Sequence, residues 1–152
     1  MNTFDEAWLK AHQAKMAALK PRREPPAVIR FTLAKPLKLL ANERMHWTAL
    51  NRYGKAIGAE VARLTRDIGP MEPFERARVF IERVSIREPD RDNLYSSVKP
   101  LVDSLLEQSA RHPRGLGFVV DDTPAHMMLE VVHVKAQGRA SQCTTVTIER
   151  LP

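Results

Sequence analysis

The run Pro89-Asp90-Arg91-Asp92-Asn93-Leu94 puts two carboxylates one residue apart, directly after an apolar, alternating segment. If that segment continues as a strand, Asp90 and Asp92 point to the same face, because side chains alternate with period two. Two anions about 4 Å apart repel by roughly 4 kcal/mol at an effective dielectric near 20, a large share of a small domain's stability. A divalent cation removes that penalty. Magnesium is the natural candidate, since it takes carboxylate oxygens, keeps several waters and accepts phosphate oxygens. The same repulsion predicts that Asp92→Asn stabilises the metal-free protein slightly. The competing reading is a turn in which Pro89 and Asp90 start a bend and Asp92 or Asn93 caps the next helix.

A third acid favours the chemical reading. Asp121-Asp122 follows the apolar run Gly117-Phe118-Val119-Val120, and Lys99 lies on a helical segment between the two acidic sites. Acids that hold an ion, with a cation to neutralise charge developing on a phosphorane or leaving oxygen, suit metal-assisted phosphodiester hydrolysis.

These residues need elements to carry them. Residues 4–19 have apolar groups at helical spacing, Phe4, Trp8, Leu9, His12, Met16 and Leu19, and a basic, proline-rich linker follows at Lys20-Pro21-Arg22-Arg23-Glu24-Pro25-Pro26. Residues 27–33 form a first strand, and a loop containing Asn42, Arg44 and His46 leads to a helix over 47–67 with Leu50, Ile57, Val61, Leu64 and Ile68 on its apolar stripe. Arg52 and Lys55 fall mostly off that stripe, where basic residues can follow a phosphate backbone or simply keep the surface soluble.

Residues 78–86 alternate as a second strand, and Leu94, Val98, Leu101, Val102 and Leu105 mark the next helix. Along that helix Asp92, Lys99 and Asp103 recur at spacings of seven and four on one polar face. Pro100 is tolerated if the helix begins near Ser97 as N-cap. Arg111, His112 and Arg114 make the following loop basic, 117–120 reads as a short buried strand, and residues 127–135 and 143–151 read as a closing hairpin. The fold class expected is α/β: one small domain with a mixed β-sheet packed by helices. It occupies residues 26–152, and the added N-terminal helix and linker occupy 1–25.

At 152 residues the chain can bury a core without disulfides, and Cys143, its single cysteine, excludes an internal disulfide and a thiolate zinc cluster. The formal charge of +6, from 24 Lys and Arg against 18 Asp and Glu, points toward a polyanionic partner. No apolar run is long enough for a membrane span or a signal peptide, so a cytoplasmic location is expected.

In combination, Pro89-Asp90-Arg91-Asp92-Asn93-Leu94, Lys99-Pro100-Leu101-Val102-Asp103-Ser104-Leu105 and Gly117-Phe118-Val119-Val120-Asp121-Asp122 resemble the signature of RusA-type Holliday junction resolvases. Asn42-Glu43-Arg44-Met45-His46-Trp47 is similar to that family's N-terminal asparagine and basic segment, and the likeness spans roughly residues 27–151. The resemblance implies a bacterial or phage-encoded homodimer on a RusA-like fold. With magnesium, or manganese in its place, such a protein nicks symmetrically related strands of a four-way DNA junction in recombination and repair. It also implies that Asp90, Asp92 and Asp122 hold the metal and that the catalytic lysine falls on Lys99. Three extra residues precede Lys99 relative to shorter family members, and an ungapped count puts Ser96 there instead.

Asp103 is then expected to orient Lys99. Asp121 either steadies the ligands from behind or caps the following turn. Asn42, Arg44, His46, Arg52, Lys55, Arg111 and Arg114 are candidate DNA contacts, and His126 and His133 are expected to be structural. A rival from another class is a branched-DNA-binding protein on the same scaffold without cleavage activity. A nucleotide-sugar transferase would share the Asp-x-Asp, but the chain is short and lacks a Gly-rich nucleotide turn. An EF-hand loop fails because Tyr95 stands where glycine is needed.

Overall fold

The computed structural model describes residues 3–18, 26–41 and 43–152; Asn42 and the linker residues 19–25 lie outside the described residues. The elements in chain order are α1 (Thr3–Ala18), β1 (Val28–Leu33), α2 (Trp47–Leu64), β2 (Ala77–Ser85), α3 (Arg91–Ser97), α4 (Lys99–Leu105), β3 (Met127–Lys135) and β4 (Cys143–Arg150). The strands make one four-stranded mixed sheet in the order β1-β4-β2-β3, antiparallel except for the parallel pair β2 and β3. This is the α/β class expected from the sequence. No helix among the described residues is long and apolar enough to cross a membrane.

Alternation decides which face is buried. Ile29 of β1 and Val79 of β2 both lie opposite Ile148 of β4, and Phe31 and Ile81 both lie opposite Val146, so the apolar sets of three strands share one face. Ile57 and Val61 of α2 and Leu101, Val102 and Leu105 of α4 complete the core on that face. Each such side chain contributes about 1.5–3 kcal/mol on full burial. On the other face, Arg78 pairs with Glu130 at 2.7 Å and Arg30 with Glu82 at 3.8 Å. Residues 6–15 of α1 are exposed, with the Trp8 and His12 rings stacked 4.9 Å apart.

Several sequence expectations change. β3 and β4 do not form a hairpin, because β2 lies between them. Their connection passes the end of β2, where Ala136 N donates to Ser85 O and Ile86 N donates to Gln142 Oε1. The alternating apolar residues of β2 are completely buried only when it has a neighbour on each side. The connecting residues 136–142 are long enough to cross one strand, roughly 10 Å from β3 to β4. Residues 117–120 form only single bridges, from Val119 to Phe74 and to Leu106, rather than a strand of the sheet. Helix α2 stops at Leu64, where Thr65 Oγ1 donates to Val61 O, and this leaves Ile68 exposed. The predicted single helix after Asp92 is two, joined at Val98, with Pro100 in the first turn of α4. There its missing N–H costs nothing.

One buried cation ties the sheet to the loop before α2. Arg83 of β2 is 7 % exposed, and no carboxylate among the described residues lies within ion-pair distance of it. Its Nε donates to Leu37 O at 2.8 Å and a terminal nitrogen donates to Ser85 Oγ at 2.5 Å. Burial pushes the guanidinium pKa down from its usual value, although arginine stays charged throughout the working range. His133 Nε2 lies 2.9 Å from Ser85 O, and His126 Nδ1 lies 2.7 Å from Glu75 O, so both histidines bond backbone carbonyls. Arg83→Ala should destabilise the protein by about 2–4 kcal/mol, because it orphans Leu37 O and opens a cavity. Arg83→Met, which keeps bulk and removes the desolvated charge, should lose less. Urea unfolding midpoints measure both, and an unchanged midpoint for Arg83→Ala would show that the tie contributes nothing.

Candidate functional site

The two acids of the first motif are carried by a helix start and not by a strand. β2 ends at Ser85, and Asp90 is the N-cap of α3 in extended conformation. Asp90 Oδ1 accepts from Asn93 N at 2.9 Å and Oδ2 accepts from Asn93 Nδ2 at 2.7 Å. Asp92 lies in the first turn of α3 and is exposed. An anion there is favoured by the positive helix end. The expected sign for Asp92→Asn therefore reverses: without metal, removing the charge forfeits a small favourable interaction instead of relieving a repulsion.

Lys99 is where distant segments meet. It opens α4, and its Nζ lies 2.7 Å from Asp103 Oδ1 one turn later and 3.8 Å from Asp122 Oδ2 on the loop before β3. His112 Nδ1 reaches to 3.9 Å from the same Asp103 oxygen. The Asp103 hydrogen bond raises the Lys99 pKa above its usual value, helped by the charges of Asp103 and Asp122 and opposed by partial burial and Arg111. Lys99 is thus a firm cation at neutral pH, suited to neutralising negative charge and unsuited to acting as a base. Ser96 instead donates its hydroxyl to Asn93 O at 3.2 Å, within its own helix. Asp121 Oδ1 accepts from the backbone N–H of the next residue, Asp122, at 2.9 Å.

The basic loop, residues 107–117, is built to hold its shape. Ser109 and His112 exchange backbone hydrogen bonds of 3.1 Å, and Leu116 N and Gly117 N donate to Ser104 O and Leu106 O. Gly115 passes so close to the end of α4 that a Cβ would sit 2.3 Å from Leu106 O, and Gly117 has φ +79°. Only glycine fits both demands without moving the loop.

Between this loop, α2 and the start of α4 lies a groove of about 540 Å³. Lys99, Asp103, Arg111, His112 and Arg114 line it, so two of the candidate phosphate contacts, Arg111 and Arg114, share one groove with Lys99. Helix α2 contributes Trp47, Leu50, Asn51 and Gly54. The Arg114 guanidinium donates to the Asn51 side chain, and the missing side chain of Gly54 leaves room for it. Arg52 and Lys55 are exposed elsewhere on α2, and Arg44 is exposed on the loop before it. His46 is the N-cap of α2, its ring accepting from Thr48 N at 3.4 Å. Trp47, Leu50, Asn51 and His112 are not among the candidate site residues that the sequence yields. The spacing i, i+3, i+4, i+7 from Trp47 to Gly54 was the available signal, but Leu50 was counted with the core stripe, whereas it is exposed to the groove.

Among the described residues no three His, Cys, Asp or Glu side chains converge closely enough to share an ion. Asp90 is engaged with Asn93 and Asp122 with Lys99, while Asp92 is exposed. The donor chemistry fits a hard ion held by one or two carboxylates and water, which is how magnesium is commonly bound. A preassembled cage of three carboxylates is not formed. No protein-family model matches the chain, and no curated protein matches it in sequence. The resemblance to RusA-type resolvases rests on the motifs alone.

A lysine with a raised folded-state pKa contributes stability below its ordinary pKa and loses it as pH rises through the folded value. Nuclear magnetic resonance titration of the Lys99 ε-carbon should place its midpoint above that of an ordinary lysine, and Asp103→Asn should bring it down. The accompanying loss of stability belongs to the alkaline range and is small, because the pair is half exposed. An unshifted midpoint in Asp103→Asn would remove Asp103 as the partner.

Proposed function

We propose that this protein is a magnesium-dependent endonuclease that nicks branched DNA, of Holliday junction resolvase type and acting as a homodimer. The observation that carries the reading is Lys99. It is a cation held by Asp103 and paired with Asp122 across two segments distant in sequence, and it opens into a groove rimmed by Arg111 and Arg114. That combination supplies a charge for a scissile phosphate and flanking charges for its neighbours.

In this reading one or two of the carboxylates Asp90, Asp92 and Asp122, with water, would hold the ion, which when bound would polarise the phosphodiester and favour attack by hydroxide. Arg111 and Arg114 bind backbone phosphates on either side. Lys99 neutralises charge that develops at the reacting phosphate, and Asp103 keeps its ammonium oriented. The Lys99–Asp122 contact, at 3.8 Å and partly exposed, is weak enough to be exchanged when a phosphate arrives. The net positive charge of the chain attracts DNA and makes its affinity strongly salt dependent. A dimer places two such sites on the two symmetric strands of a junction.

Incubation with a labelled synthetic four-way junction, with and without magnesium, tests this beside matched duplex. Paired symmetric nicks are expected only with metal. Asp92→Asn should abolish them, and Lys99→Met should slow them roughly 100-fold or more, in line with the loss of one charge-stabilising donor. Tight junction binding with no nicks under magnesium or manganese would favour the non-catalytic branched-DNA-binding protein.

A further inference from the structure

Trp47 is 69 % exposed in the first turn of α2, with the His46 ring 5.9 Å away. A single exposed apolar residue is ordinary. Trp47 is not single: Leu50, one turn along the same helix, is 39 % exposed, and Leu40, Pro100 and Pro113 extend an apolar wall around the groove. Lys99, Arg111 and Arg114 give the same groove a cationic rim. Its volume, about 540 Å³, falls in the range of sites that enclose small molecules.

A groove with both properties is poorly matched to continuous duplex. Duplex DNA presents phosphates and sugars outward and keeps its base faces stacked inside. Laid across the groove, it would satisfy the cations and leave the apolar wall wet. A nucleotide lifted out of the stack meets both demands, its flat ring covering the indole and its phosphate reaching the basic rim. We propose that this groove takes an unstacked nucleobase at the branch point, with Trp47 as its stacking platform, and that the protein thereby distinguishes branched DNA from duplex. The proposal rests on the DNA reading above and adds the structural feature that is recognised.

The test uses the full chain carrying Trp8→Phe, so that Trp47 is the sole tryptophan. Its fluorescence is followed on titration with a four-way junction and with duplex of the same sequence. Binding of both DNAs is measured in parallel by anisotropy for the same chain and for variants at Trp47. Junction should quench Trp47 emission at least twofold while duplex leaves it nearly unchanged. Trp47→Ala should weaken junction binding about 5- to 100-fold with duplex binding unaltered, the range expected for one stacked base. Trp47→Phe, which keeps a ring, should recover most of the loss. Thermal melting of Trp47→Ala should match the parent, since the indole is mostly in water. Equal quenching by both DNAs, or equal loss of affinity for both in Trp47→Ala, would overturn base stacking and leave the nuclease reading standing. Failure of the parent chain to bind either DNA would overturn both.

Discussion

Two strands that lie side by side and run parallel cannot be joined by a tight turn, so the chain must travel back along the sheet between them. β2 and β3 pair in this way from Ala77 opposite Met127 to Ser85 opposite Lys135, and the return path, residues 86–126, carries α3, α4 and the basic loop. Every residue of the Lys99 cluster rides on that path. The parallel register also sets where the acids enter. Asp90 follows the end of β2 and Asp122 precedes the start of β3, and these are opposite ends of a strand pair roughly 25–30 Å long. Residues 86–90 and helix α3 lead back from the end of β2, and Lys99, at the start of α4, is the point at which the loop carrying Asp122 is met.

The meeting is held by backbone as well as by charge. Phe74 and Phe118–Val120 exchange hydrogen bonds, Val119 N donates to Leu105 O, and Glu107 N donates to Val119 O. Leu105, Leu106, Phe118 and Val119 are buried in the same stretch. The segment that ends in Asp121-Asp122 is therefore clamped to the C-terminal end of α4, whose N-terminal end carries Lys99. On the other side, Gly115 lets the basic loop pass close against Leu106, which brings His112 toward Asp103 and Arg114 toward Asn51 of α2. A rigid base of buried Leu and Val side chains thus supports a polar rim whose ion pairs are individually weak. That division leaves the pairings of the rim easily exchanged while the base stays fixed.

Much of this was legible in the chain itself. The alternation in β1, β2 and β4 and the apolar spacing in α2 and α4 follow from the periods of two and 3.6, and the mixed α/β class follows from their order. The bend at Pro89-Asp90 was one of two readings of that stretch, but the cap expected at Asp92 or Asn93 falls on Asp90, because Asn93 satisfies both of its carboxylate oxygens locally. The i, i+4 relation of Lys99 to Asp103 was also present in the spacing, since a helix brings such residues together wherever it packs.

What only the tertiary structure decided were the neighbours. Periodicity says which side of a strand is buried and nothing about which strand lies beside it, so the apparent hairpin of β3 and β4 gave way when β2 took the place between them. The pairing of Lys99 with Asp122, the exposure of Leu50 to the groove and the joining of Trp47 to Arg111 and Arg114 depend on contacts between segments far apart in the chain. Local pattern is set by bonded geometry and is written in the sequence. The choice among distant partners is set by which packing buries the most apolar surface while satisfying every backbone hydrogen bond, and that is a property of the whole fold.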